Sequence, residues 1–163
     1  MGEAMKFGTK AETLERLQPL LEPNTVLPLF YFAQGQWLAN SSSILEEIQN
    51  RFPKQKVIIR SSAQDEDTAD SSAAGKYLSL PNVPTDNQQS LRSSIEAVFA
   101  SYEGAGLTAQ VLVQPLLSSV YCAGALLTST LDTLSPYYIL SYYDDTDTVT
   151  SGRSCDHKTY YRY

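Results

Sequence analysis

Three stretches of the chain carry apolar residues at helical spacing, and each opens on a residue able to cap a helix. Thr9-Lys10-Ala11-Glu12 fits a capping box, a Thr followed three residues on by Glu, and Leu14, Leu17, Leu20 and Leu21 follow at helical intervals. Glu22-Pro23-Asn24 ends that helix. Ser43-Ile44-Leu45-Glu46 is a second capping box, with Ile48 and Phe52 behind it and Pro53 as the stop. Asp86-Asn87-Gln88-Gln89 is a weaker third start. Leu91, Ile95, Val98, Phe99 and Tyr102 form its apolar stripe, and Gly104-Ala105-Gly106 breaks it.

Strand patterns fill the intervals. Leu27 to Phe32 is apolar and aromatic, and Val57-Ile58-Ile59 is a β-branched run suited to a buried strand. Tyr77 to Leu80 alternates. Gln110 to Leu116, Tyr121 to Ser129 and Tyr137 to Tyr143 read as three consecutive strands separated by turns, and Lys158 to Tyr163 as a final one. The first half thus mixes helices and strands, and the chain after the third helix is nearly all β. The pattern shows no internal repeat. The polar stretch from Ser61 to Ser72 has no period and is too long for an ordinary turn, which marks it as mobile or functional.

Composition narrows this picture. Of 163 residues, 42 % are hydrophobic and 18 % charged, which with the periodic pattern excludes a disordered chain. The length suits one domain or two small lobes. A net charge of −6, a pI near 4.7 and the lack of a long basic run argue against a nucleic-acid or anionic-membrane partner. No apolar run approaches a membrane span, and the N-terminus lacks a signal-peptide core. Two cysteines, Cys122 and Cys155, make no disulfide framework, and with His157 as the single histidine they make no zinc site; a reducing cytoplasm is the simple reading.

The chemistry-bearing segment is Val57-Ile58-Ile59-Arg60-Ser61-Ser62-Ala63-Gln64-Asp65-Glu66-Asp67. A buried strand runs into a guanidinium, two hydroxyls and a carboxylate run. Arginine offers a rigid fork of donors suited to phosphate oxygens, and the small Ala73-Ala74-Gly75-Lys76 would let backbone N–H groups approach an anion closely. On the residues alone, an Arg60 that pairs with Asp65 or Asp67 and closes a surface loop is an equal alternative.

Arg60-Ser61-Ser62-Ala63-Gln64-Asp65-Glu66-Asp67, then Asp70-Ser71-Ser72-Ala73-Ala74-Gly75-Lys76 and Asn82-Val83, resembles the signature of the phosphoenolpyruvate synthase and pyruvate phosphate dikinase family, in its N-terminal ATP-binding domain. Four further segments look like that family's: Gly8-Thr9-Lys10-Ala11-Glu12-Thr13-Leu14, Val111-Leu112-Val113-Gln114-Pro115, Ala123-Gly124-Ala125-Leu126-Leu127-Thr128, and Thr150-Ser151-Gly152-Arg153 with Asp156. The resemblance is strong over 57–83 and looser elsewhere. It implies an α+β, ATP-grasp-like fold, a mixed N-terminal part followed by a mainly antiparallel β part. Residues 1–163 would form a partial ATP-grasp nucleotide-binding domain with lobes 1–106 and 107–163.

The resemblance also implies roles. Lys10 and Arg60 would contact ATP phosphates, and Gly75 would lie with its backbone against the nucleotide. Ser79 falls where the family often has Thr, and an outward-facing strand serine is the equal alternative. Gln114 matches a hinge Gln beside the adenine, with Leu112 and Val113 adding main-chain contacts while their side chains serve as core. A helix N-terminus is itself an anion site, which supports phosphate at Lys10. Glu66 and Asp67 match the family's acidic pair; loop-ordering is the better reading and metal contact the alternative.

Asp144, Asp145 and Asp147 could recruit Mg²⁺, but the family has a different turn there, and a solvated turn is the better reading. His157 is not the family's phosphohistidine, which lies in a separate domain. The late tyrosine clusters, Tyr137-Tyr138, Tyr142-Tyr143 and Tyr160-Tyr161-Tyr163, suit a half-exposed sheet or a covered interface, and so admit a homo-oligomer.

The family's metal ligands and a further phosphate-binding Arg belong to a downstream segment with no match here. The expected cofactors are therefore ATP and Mg²⁺, with the Mg²⁺ ligands outside this chain, and downstream domains of the same polypeptide are expected partners. The leading expectation is the ATP-binding portion of a phosphotransferase of the dikinase type, incomplete for catalysis alone. The alternative is a non-catalytic interaction or nucleotide-sensor module that retains the fold. An unrelated α+β binding domain would require the 57–83 match to be chance.

Overall fold

A computed structural model describes residues 7–22, 26–63, 77–102, 104, 106–120, 123–130 and 133–143. The chain divides into two compact units, Met1–Leu116 and Leu117–Tyr163. In the first unit the described elements are α1 (Lys10–Leu17), β1 (Phe30–Ala33), α2 (Gln34–Arg51), β2 (Lys56–Ser62), β3 (Ser79–Pro84), α3 (Gln88–Ala100) and β4 (Gln110–Pro115), with short 3-10 turns at Gln18–Leu20 and Gly106–Thr108. In the second they are β5 (Ala123–Leu127) and β6 (Ile139–Tyr143), paired antiparallel from Ala123 opposite Tyr143 to Leu127 opposite Ile139. The chain is α+β with antiparallel sheets. No described helix is long and apolar enough to cross a membrane.

The four strands of the first unit lie in the order β1-β4-β2-β3, every neighbour pair antiparallel. β1 and β2 flank β4 and are joined through α2. β3 and β4 flank β2 and are joined through α3. Each crossover therefore skips one strand, as in split βαβ units. The two helices bury their stripes against one face of the sheet. Trp37, Leu45 and Ile48 of α2 and Leu91, Ile95, Val98 and Phe99 of α3 form one core with Phe32, Val57, Ile59, Val83, Val111 and Val113. Phe32 stacks on Trp37 at 5.9 Å between ring centroids and meets Phe99 edge-on at 6.1 Å.

The expected Thr9–Glu12 capping box is present: Thr9 Oγ1 accepts from Glu12 N–H and Glu12 Oε2 accepts from Thr9 N–H. The other two starts differ from the pattern. α2 begins at Gln34, well before Ser43, because tertiary partners hold its first turn: Gln34 N–H donates to Ala109 O, and Ala33 N–H to Gln36 Oε1. Within residues 34–40 only Trp37 is buried, so no apolar period announces this turn. The helix breaks at Asn40 (φ −155°, ψ 66°), whose Oδ1 accepts from Ser43 N–H. Asn40, not Ser43, thus caps the second part. At α3 the cap is Asn87 rather than Asp86, with Oδ1 accepting from Ser90 N–H. β3 runs past Leu80 to Pro84 because a bulge accommodates it. Two residues on β3, Pro81 and Asn82, oppose one on β2, Ile58, between the pairs Val57–Val83 and Ile59–Leu80, and Asn82 takes φ 63° there. Pro81 and Pro84 are tolerated on this outer strand.

Behind α2 the chain turns on a buried threonine. Thr85 Oγ1 bonds to Phe52 O at 2.7 Å and to Gln55 O at 3.0 Å, and it accepts from Gln55 N–H at 3.1 Å. These bonds tie the end of α2 to the end of β3. Thr85→Val keeps the shape and removes the hydroxyl, leaving backbone groups without their partner. A loss of about 2 kcal/mol in unfolding free energy is expected from the urea midpoint.

Candidate functional site

The second face of the four-stranded sheet, opposite α2 and α3, carries α1. Side chains alternate along a strand, so Ser62, Arg60 and Ile58 share this face, as do Gln110, Leu112 and Gln114 opposite them. A polar seam holds the helix there. Ala11 N–H donates to Ser62 Oγ at 2.9 Å, Thr9 Oγ1 donates to Gln110 Oε1 at 2.7 Å, and Gln110 Nε2 donates to Glu12 Oε1 at 3.0 Å. Tyr31 OH donates to Glu15 Oε2 at 2.7 Å. Ala11 is fully buried beneath the helix.

The seam changes what the start of α1 can offer. The Ala11 N–H is spent on Ser62, the Glu12 N–H on Thr9 Oγ1 and the Thr13 N–H on Thr9 O. The expected anion site made of free helix amides is therefore closed at these three positions. The helix contributes a cation instead: Lys10 Nζ lies 3.5 Å from Ser61 O. That carbonyl immediately follows Arg60.

Four of the five residues expected to hold a nucleotide thus meet on one side of the sheet. Arg60 stands directly opposite Ser79 on β3 and Leu112 on β4. Gln114 is one same-face step beyond Leu112, a diagonal neighbour at about 7 Å by sheet geometry. Lys10 approaches from α1. Arg60 is partly exposed and makes no salt bridge with any described carboxylate, while Gln114 is buried at 5 % exposure. The fifth residue, Gly75, lies outside the described residues, as do Asp65, Glu66, Asp67, the carboxylates Asp144, Asp145 and Asp147, Cys122, Cys155, His157 and the strand expected over 158–163.

β4 corrects one expectation about the adenine. Leu112 pairs with both Tyr31 and Arg60, and Val113 with both Phe30 and Ile59, so their main-chain groups are committed to ladders on both sides. β1 reaches no further than Val113. Gln114 is the first β4 position with a strand partner on one side only, Ile58. The Leu116 N–H donates to Lys56 O in this same register, so the Gln114 main chain turns toward β2 as well, and only positions beyond it are left on the β1 side.

A further residue, not singled out in the sequence, shapes this end of the sheet. Tyr102 OH accepts from Ser62 N–H at 2.7 Å and donates to Gln110 O. Ser62 and Gln110 are register partners, so the hydroxyl sits in the last rung between β2 and β4. The polar segment leaves β2 one residue later. Tyr102 reads in the sequence as one more stripe residue; nothing in the pattern reveals its hydroxyl.

Residues 38–106 match the family model described as pyruvate phosphate dikinase, AMP/ATP-binding domain. That segment is similar to the nucleotide-binding domain of that family. It runs from within α2, through β2 and β3, to the end of the loop after α3. Arg60, Gly75 and Ser79 fall inside it, and Lys10 and Gln114 outside. The α+β architecture agrees with an ATP-grasp-like domain. A comparison with curated proteins found no match.

The Tyr31–Glu15 contact supplies a direct check on the seat of α1. The hydrogen bond to Glu15 is the main reason that the Tyr31 phenol is pushed up to about 12, with burial and the nearby carboxylate charges adding to it. A raised folded-state pKa stabilises the protonated form. The contribution is therefore complete below pH 10, the unfolded value, and is lost as pH rises to about 12. Tyrosinate absorbance, read as the difference between the wild type and Tyr31→Phe, should place the midpoint of this group at about 12, and Glu15→Gln should bring it back toward the ordinary value.

Proposed function

We propose that the first unit binds a nucleoside triphosphate on the α1 face of its sheet. The observation that carries this reading is the meeting of Arg60, Ser79 and Gln114 on that face with the ammonium of Lys10 beside Ser61 O. Arg60 supplies a planar fork of donors for phosphate oxygens and Lys10 a compact charge, a division of labour suited to a triphosphate. Ser79 adds a hydroxyl beside Arg60. Gly75 brings its main chain against the nucleotide.

The base lies toward Gln114, with main-chain groups beyond Gln114 reading its edge. Mg²⁺ enters with the triphosphate, whose oxygens are its natural ligands. The chain serves as the nucleotide-holding part of a phosphotransferase of the dikinase type, acting together with phosphoryl-carrying and acceptor-binding domains. The match of residues 38–106 to an AMP/ATP-binding domain supports the ligand class.

Titration calorimetry with Mg²⁺–ATP tests the reading. Saturable binding is expected for the wild type. Arg60→Ala removes charge-assisted hydrogen bonds to phosphate and should weaken ATP by about tenfold or more, with much less effect on adenosine. Absence of saturable binding to the wild type, or equal losses for ATP and adenosine in Arg60→Ala, would defeat it.

A further inference from the structure

Gln110 is the hub of the seam beneath α1. Its side-chain amide is used at both ends: Oε1 accepts from Thr9 Oγ1 at 2.7 Å, and Nε2 donates to Glu12 Oε1 at 3.0 Å. The two partners bracket Lys10, one residue before it and two after it. The main-chain oxygen of Gln110 accepts from Tyr102 OH, and its strand pairs with β1 on one side and β2 on the other. The side chain therefore rises from an inner strand of the sheet and grips the first turn of the helix.

The grip is directional. An amide presents one acceptor and one donor side, and here each meets its complement. Glu12 is in turn occupied by Thr9 N–H at its other oxygen, with the Arg16 guanidinium 3.6 Å away. Nothing in this arrangement requires Gln110 to touch a ligand.

We propose that Gln110 is a positioning residue that sets Lys10 at the phosphate end of the nucleotide site. The inference rests on the nucleotide reading above, because the purpose assigned to the grip is the placement of Lys10 beside Arg60. A long, flexible lysine side chain is a poor phosphate ligand unless its backbone is fixed. An amide anchored on the central strand fixes it relative to Arg60, the register neighbour of Leu112 on the same strand.

The test exploits the directionality. Gln110→Glu sets a carboxylate against the Glu12 carboxylate and should unseat the first turn. The double variant Gln110→Glu, Glu12→Gln moves the carboxylate across the same contact and leaves an amide to donate back, so it should reseat the turn. Calorimetry is run with Mg²⁺–ATP and with adenosine on the full chain, for the wild type, Lys10→Ala, Gln110→Glu and the double variant. Lys10→Ala and Gln110→Glu should each weaken ATP by about tenfold relative to adenosine, and the double variant should recover most of that loss.

Amide hydrogen exchange over Lys10–Leu17, measured without nucleotide, should rise in Gln110→Glu and return in the double variant. Three results overturn the proposal. One is unchanged exchange in α1 in Gln110→Glu. Another is an equal loss of ATP and adenosine affinity in Gln110→Glu, which is the mark of a purely structural role. The third is a folded double variant that fails to recover ATP. If the wild type binds no ATP, or Lys10→Ala leaves ATP unaffected, the nucleotide reading itself fails, while the exchange data still report whether Gln110 seats the helix.

Discussion

Ser62 carries the constraint on which the rest of the first unit depends. It is fully buried, and its two polar groups are satisfied by opposite layers of the molecule. Its N–H goes to the hydroxyl of Tyr102, just after α3, and its Oγ to the Ala11 N–H of α1. A buried N–H or hydroxyl left without a partner costs about 1–3 kcal/mol, so neither bond is readily given up. Together they fix the end of β2 against both helical layers. The register with β4 follows, because Tyr102 also holds Gln110 O. A slip by one residue would put Arg60 in the apolar core and Ile59 on the α1 face. The position of the guanidinium is thus a consequence of how one serine is satisfied.

Much of this was legible in the sequence. The stripe Leu91–Ile95–Val98–Phe99–Tyr102 is buried as its spacing requires, and the Thr9–Glu12 box caps α1. Both signals are local: a period in one helix, and two residues three apart. What escaped is non-local. The first turn of α2 is held by Ala109 O and covers only Trp37, so residues 34–40 show no helical stripe. The Asn40 break displaces the apparent Ser43 cap because an Asn side chain, unlike the pattern around it, competes for the N–H of Ser43. The extension of β3 through Pro81 and Pro84 needs a bulge at Asn82 and an outer position in the sheet, and neither is visible from the strand's own residues.

The candidate site divides in the same way. The strand-to-loop motif singles out Arg60 without reference to any partner, because a guanidinium and two hydroxyls ending a β-branched run are unusual on their own. Its neighbours come from pairing. Ser79 lies opposite Arg60 and Gln114 diagonal to it only because β2 sits between β3 and β4, an order that skips strands twice. Main-chain access was misjudged at Leu112 and Val113 for the same reason. A strand that looks free in sequence is central in the sheet, and its backbone is used on both sides.

The closing of the α1 amides has a further electrostatic consequence. A helix N-terminus with spent N–H groups offers little more than its residual dipole, so attraction for phosphate has to come from side chains. The net charge of −6 opposes this across the whole protein, but the seam sorts charges locally. The Glu12 carboxylate is occupied by Thr9 N–H, Gln110 and Arg16, and the Glu15 carboxylate by the Tyr31 hydroxyl. Lys10 reaches the main-chain carbonyl of Ser61. Among the described residues of the seam and of the strand end beside it, Lys10, Arg16 and Arg60 stand against Glu12 and Glu15. Exposed charges beyond about 8–10 Å are largely screened at physiological salt, so local balance weighs more than the total in the potential at this face. The hydrogen bonds that seat α1 therefore also occupy the carboxylates of its own helix, so a seam with a structural role tempers the negative charge on this face.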